Sequence, residues 1–317
     1  MTISSLSAPA LVPTPQTIAG QLITNINLDQ SQMAALQEQI STGFTVNQPS
    51  DNPALAADVM TMNSSLVRAK QYVSNASDAQ GWLQQGTGTL NQVMSTLQSI
   101  TSAVESVSGQ ALTGQGAAIS GIAHQVAAGL QQLLGLANTT YNGQAIFAGT
   151  GATTQAYSSS GTYLGNATLP TRTVAPGTQV TVAVAGTTVF GTGAGGLLSG
   201  AGTTTNGPAV GVLQTIVNDL NAGNLTQVMN VDLPNLQKAT NVVAGAAATL
   251  GAAYQNAQAF SAQASTTQQA LQTELGNLQD VNLPKAATQL TEAQNAYQAA
   301  LWATAQVSQS SLVQFLG

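Results

Sequence analysis

Histidine occurs once, at His124, and cysteine not at all. A lone imidazole has no partners from which to build a metal site or a nucleophilic relay. Without cysteine there is no thiol catalysis, no disulfide and no thiolate-held zinc or iron–sulfur cluster. Carboxylates are also scarce: between Asn138 and Pro208 there is no Asp, Glu, His or Cys. That stretch cannot supply the paired acids of a glycosidase or the nucleophile and base of a peptidase. Gly191-Thr192-Gly193-Ala194-Gly195-Gly196 matches the glycine spacing of a dinucleotide loop. Such a loop must open a helix and be followed by an acid about 20 residues on. Here Leu197-Leu198-Ser199-Gly200 runs on into more Gly and Thr, so the segment reads as a turn. Asn-x-Ser/Thr triplets at Asn63, Asn75, Asn138, Asn166 and Asn224 are what chance provides in a chain so rich in these residues. The inventory predicts no enzyme, no cofactor and no metal.

The charge balance narrows the field further. Five Lys+Arg and eleven Asp+Glu make only 5% of the 317 residues, with a formal net charge of −6. A typical globular chain carries about 25%. Arg68, Lys70, Arg172, Lys238 and Lys285 cannot neutralise a phosphate backbone, so nucleic acid is excluded as a partner. With 43% hydrophobic residues the chain has the reverse of a disordered composition. Its least polar stretch, Asn241 to Tyr254, is too short and too rich in Ala, Gly and Thr for membrane insertion, which takes about 20 apolar residues. Met1 to Gly20 lacks the basic start and apolar core of a secretory signal, so export would use another route.

The elements must therefore carry the function. Pro9, Pro13 and Pro15 make residues 1–16 an extended or mobile leader. Ile18, Leu22, Ile26, Met33, Leu36 and Ile40, with Asp29 among them, form one stripe of a helix of roughly six turns. Gly43 is placed to cap its C-terminus. Asp51 or Asn52 can then start a new helix with Pro53 in its first position. Every seventh residue from Leu55 is apolar: Leu55, Met62, Ala69, Ala76, Leu83, Leu90, Leu97 and Val104. Such a register predicts a supercoiled helix about 80 Å long. After a glycine-rich break at Gly109 to Gly116, Ile119, Ala123, Val126, Leu130, Leu133 and Ala137 mark a return helix. From Asn138 to Pro208 the pattern turns to Gly, Thr and Ser, with Gln179 to Val184 alternating as a half-buried strand. Tyr157, Tyr163 and Phe190 are its large side chains. Helix resumes at Val210 to Leu220, then with a second heptad series: Leu236, Val243, Leu250, Ala257, Ala264, Leu271 and Leu278. Pro284 interrupts, and a last helix carries Leu290, Ala293, Tyr297, Ala300, Val307 and Phe315 on one face.

The expected fold is mainly α: a folded-back rod of long antiparallel heptad-patterned helices with a small β-rich insert domain. Residues 17–43 with 284–317 would form terminal helices, 44–140 with 208–283 the long rod, and 141–207 the insert. The terminal helices carry few charges, chiefly Asp29, Glu38, Lys285 and Glu292. An exposed helix ordinarily presents charges to solvent. Helices this poor in charge suit acidic or salty surroundings, or burial against copies of the same chain, and the two readings can coexist.

The segments Leu36-Gln37-Glu38-Gln39-Ile40-Ser41-Thr42-Gly43 and Asn47-Gln48-Pro49-Ser50-Asp51-Asn52-Pro53 resemble the N-terminal signature of the hook–filament junction proteins, within the bacterial flagellin family. Gly143-Gln144-Ala145-Ile146-Phe147-Ala148-Gly149 is similar to that family's passage from helix into outer domain, and Leu283 to Leu316 resembles its terminal helix. Phe44 stands where the family often has a basic residue. The resemblance implies a structural subunit that joins hook to filament as a ring of self-associating copies. It implies export by the flagellar type III route, an extracellular place on the flagellum, and no catalysis. Partners would be a hook-side junction protein, flagellin and an export chaperone. The terminal helices would be the assembly interface, through Ile18, Leu22, Ile26, Met33, Leu36, Ile40, Leu290, Tyr297, Leu301, Val307, Leu312 and Phe315. The alternative is flagellin itself, the major filament subunit, which shares both terminal helices.

Overall fold

The computed structural model describes residues 15–107, 116–151, 154–192, 195–198, 203–204, 207–208 and 210–316. The leader up to residue 14 and the glycine-rich break at 108–115 lie outside them. Long helices dominate: α1 (Pro15–Thr42), α2 (Pro53–Glu105), α3 (Gly116–Ala137), α5 (Val212–Ala222), α7 (Leu233–Gln279) and α8 (Leu283–Leu316). Between α3 and α5 lie three two-stranded antiparallel hairpins, β1 (Thr140–Tyr141) with β2 (Gln144–Ala145), β3 (Thr171–Ala175) with β4 (Thr178–Thr181), and β5 (Thr203–Thr204) with β6 (Gly207–Pro208). A single turn, α4 (Gly186–Val189), precedes the last hairpin, and a short α6 (Leu225–Gln227) leads through a π-helical turn, Val228–Asp232, into α7. Contacts group the chain into two units: the chain up to Leu66 with Gln269 onward, and Val67–Gln268.

In the second unit the heptad prediction is met. Ala76, Leu83, Leu90, Leu97 and Val104 of α2 are fully buried, in one apolar cluster with Leu236, Val243, Leu250 and Ala257 of α7. Gln80 Nε2 donates to the Ala257 carbonyl at 3.4 Å, and Gly86 lies beside Leu250. Positions rise along α2 as they fall along α7, so the two run antiparallel. The sequence stripe did not include a second buried row of α2: Ala79, Gly86, Val93 and Ile100, continued by Val107 just past the helix end, with Trp82, Thr89 and Thr96 beside it. Gly and Thr disguise it as polar. The row exists because α2 is covered on two sides. On its α3 side Gly129 makes room for Ile100, since a Cβ at that position would collide with the isoleucine.

The insert region contains less strand than its alternation predicts. Of the expected run Gln179 to Val184 only Gln179–Thr181 pairs, within β4, and Val182 and Ala183 beyond it are irregular though buried. Its large side chains join the helical core instead of forming a separate one. Phe147 and Phe190 meet edge to face at 5.3 Å and Tyr157 and Phe190 at 5.6 Å, in the cluster that α2, α3 and α7 supply, and the half-buried Tyr163 packs on it with its ring tilted 5.2 Å from Tyr157. Asn138 clamps this layer, its side-chain oxygen accepting the Tyr157 N–H at 2.8 Å and its amide donating to the Tyr157 carbonyl at 2.8 Å. Four of the five triplet asparagines spend their side chains on such bonds.

The β3–β4 hairpin is fastened to α2. Arg172 donates Nε–H to Asp78 Oδ2 at 2.6 Å, and its guanidinium lies 5.5 Å from the centre of the Trp82 ring. Trp82 meets Tyr141 edge on at 5.6 Å, and Asn75 Nδ2 donates to the Thr173 carbonyl at 2.8 Å. Asn75, Asp78 and Trp82 sit three and four apart, which puts them on one face of the helix.

Candidate assembly interface

The first unit is built around α1 and α8, which pack against each other. Their local design follows from caps. Gly43 ends α1 in the left-handed region at φ 79°, and its N–H returns to the Gln39 carbonyl at 2.9 Å. Asn52 caps α2, its Oδ1 accepting the Leu55 N–H at 3.1 Å. Of the two candidates for that cap, Asp51 does something else: its Oδ2 accepts the N–H groups of Asn47 and Gln48 at 3.1 and 2.9 Å. Asn282 caps α8 in the same way as Asn52, through the Lys285 N–H at 3.1 Å.

The two linkers are joined. Thr45 N–H donates to the Gln279 carbonyl at 2.7 Å, and Val281 N–H to the Gly43 carbonyl at 2.9 Å. Gln39 adds a side-chain bond to the Thr45 carbonyl at 3.0 Å. The segment from Gly43 to Thr45 and that from Gln279 to Val281 thus form a short antiparallel bridge. Phe44, the residue in the family's basic position, is the bridge residue opposite Asp280, and its side chain is exposed.

On α1, Leu22, Ile26, Asp29, Met33 and Ile40 are half-buried and Leu36 is buried. On α8, Ala286 and Ala293 are buried and Leu290, Tyr297, Ala300 and Thr304 half-buried. Each set repeats in steps of three and four, the spacing of a helix seam. Leu301 falls off that seam and is 44% exposed. Of Ile18, Val307, Leu312 and Phe315 only the backbone belongs to the described residues. The apolar stripe misses a second set: Ile23 and Leu28 on α1 and Trp302 on α8, which is 79% exposed. Trp302 was visible in the sequence as a large apolar residue outside the stripe.

Among the described residues, no three His, Cys, Asp or Glu side chains converge, and no helix is long and apolar enough to cross a membrane. A groove of about 400 Å³ between α2 and α3 is lined by Ser95, Ser99, Gln125 and Gln132 and holds no titratable group. Of the Gly191–Gly196 segment, Gly193 and Ala194 lie outside the described residues; beside it Leu197 N–H donates to the Phe190 carbonyl at 2.6 Å.

The fold is similar to solved flagellar proteins. A Legionella pneumophila hook associated protein-3 aligns over 69% of this chain and 98% of its own, at 16% identity and a TM-score of 0.58. A Xanthomonas campestris FlgL aligns over 68% and 99%, at 18% identity and 0.55. A Bacillus cereus FlgL aligns over 68% and 99%, at 17% identity and 0.54. No curated protein matches the sequence. The bacterial flagellin N-terminal helical region matches residues 15–152 and the C-terminal helical region residues 233–316. Those two matches span α1 to the first hairpin and α7 to α8, and by them the chain belongs to the bacterial flagellin family.

Proposed function

We propose that this protein is a structural subunit of the flagellum that joins hook to filament, as a ring of self-associating copies. The observation that carries the reading is the fold it shares, along about two thirds of its length, with hook-associated and junction proteins. The surface of the first unit supports it. A helix pair with few charges presents Ile23, Leu28, Leu301 and Trp302 outward, and exposed apolar surface of this kind marks an interface. The seam residues Leu22, Ile26, Met33, Leu36, Ile40, Leu290 and Tyr297 hold α1 to α8, and with Ile18, Val307, Leu312 and Phe315 they complete the assembly surface. The neighbours of the ring are a hook-side junction protein on one side and flagellin on the other. An export chaperone covers the terminal helices before assembly, and the protein travels by the flagellar type III route to the cell exterior. Flagellin itself is the second reading, because the two matched regions are those of flagellin. Gold-labelled antibody on isolated flagella separates the two. Label in one band at the hook–filament boundary is expected; label along the filament supports flagellin, and none on the flagellum overturns both.

A further inference from the structure

Phe44 is 41% exposed, yet hydrogen bonds fix its backbone. The Gly43 carbonyl accepts the Val281 N–H, Thr45 N–H donates to the Gln279 carbonyl, and the N–H of Phe44 itself donates to Thr42 Oγ1 at 3.3 Å. Side chains directly opposite each other in an antiparallel bridge lie on one face, with Cβ atoms about 5 Å apart. The residue opposite Phe44 is Asp280, which is also exposed. Its carboxyl turns back along the last turn of α7, where Oδ2 would lie 3.1 Å from a Cβ placed on Gly276. That is the carbonyl end of a helix, where negative charge is disfavoured. Neither α1 nor α7 has a basic residue in its last turn, and among the described residues no cation pairs with Asp280. Leu283, three residues on, is 50% exposed.

Charge is divided unevenly about this point. The unit that holds α1 and α8 has Lys285 as its single cation, against six exposed acids and the half-buried Asp29, and so carries the whole net charge of −6. Val67–Gln268 balances four acids with four bases. Identical copies packed through the first unit bring like charges together, so that unit does not supply the cation Asp280 lacks. A carboxylate beside an exposed ring receives a guanidinium or ammonium group: the acid pairs with the charge and the ring takes its face. An arginine fits best, because its planar fork serves both while its stem covers an apolar neighbour such as Leu283. We propose that Phe44, Asp280 and Leu283 form a docking point for an arginine- or lysine-bearing surface of a different protein that adjoins the ring. This rests on the flagellar role proposed for the chain.

A photo-crosslinker tests it. With p-benzoyl-phenylalanine in place of Phe44, near-ultraviolet light joins the ring to whatever lies on it. In flagella isolated from cells that make this full-length variant, the adduct should link the chain to a different protein, through a peptide containing Arg or Lys. Asp280→Lys should lower the adduct yield about tenfold, and Asp280→Glu should keep most of it. Both side chains are exposed, so the melting temperature of the free protein should not move. Should Asp280→Lys lower it, Asp280→Asn takes its place, with the same loss of adduct expected. An adduct to another copy of this chain, none in flagella that contain the chain, or a yield indifferent to the charge at position 280 overturns the proposal and leaves the flagellar role standing. Flagella in which antibody finds none of the chain overturn both.

Discussion

Arg172 is the only cation between Asn138 and Pro208, and it is used at a single point. Its side chain is 28% exposed and that of Asp78 34%, so water screens part of the attraction. The Trp82 face adds a contact that salt weakens less. Replacing Arg172 with Ala should destabilise the second unit by about 1–2 kcal/mol. Lys at this position should recover only part of that, because it lacks the planar fork that reaches Asp78 and Trp82 together. Urea unfolding followed by Trp82 fluorescence, with Trp302→Phe removing the other indole, checks both values. A glycine in the same region is tighter still. A methyl group on Gly165 would meet the Ala148 backbone and the Tyr163 hydroxyl, neither of which can swing away. Gly165→Ala should therefore lower the melting temperature clearly, by the mechanism of overpacking, at about 1–3 kcal/mol.

At the scale of elements, the antiparallel pairing of α2 with α7 is the second unit's main support. Leu90 and Leu250 are fully or nearly fully buried in the shared cluster. Leu90→Ala should cost about 2–5 kcal/mol and Leu90→Asp more, since the second also buries an unpaired charge. Thermal melts of the two variants should fall in that order, and an unmoved melting temperature for Leu90→Asp would contradict the register. The same reasoning applies to Leu250→Asp from the opposite helix. Caps matter less: Asn52→Ala removes one bond to the Leu55 N–H and should cost about 1 kcal/mol. Its effect belongs to the start of α2 alone.

At the scale of the whole molecule, α1 and α8 depend on each other. A helix of this length is marginal by itself in water, and each of these has one apolar seam to bury. Under the proposed function, neighbouring copies cover the outward residues Ile23, Leu28, Leu301 and Trp302. Limited proteolysis with a low-specificity protease should remove both ends quickly from the monomer and slowly from assembled flagella. Equal resistance in the two states would argue against terminal helices as assembly elements. Trp302→Ser removes exposed apolar area without touching the seam, so it should leave the monomer melt within about 0.5 kcal/mol of wild type while reducing assembly. Sedimentation of polymerised against free protein reads that difference.

Heptad periodicity, caps and inventory were legible without any structure. Seven-residue spacing put Leu83, Leu90 and Leu97 on one face, and Gly43 and Pro53 bounded the helices, because these are local rules of backbone geometry. The absence of thiols and of acids in the insert is a matter of composition. What the sequence could not reveal depends on neighbours distant along the chain. Ala79, Gly86 and Thr89 are buried because helices cover α2 on two sides, and small or hydroxylated residues give no apolar signal of that. Choosing Asn52 over Asp51 as the cap turned on which N–H each side-chain oxygen reached in three dimensions, Leu55 for Asn52 and Asn47 and Gln48 for Asp51. The insert's alternation promised longer strands, yet Val182 and Phe190 found partners in the helical core and the pairing stopped at Thr181. Local rules set the elements, and tertiary packing decided which faces of them were covered.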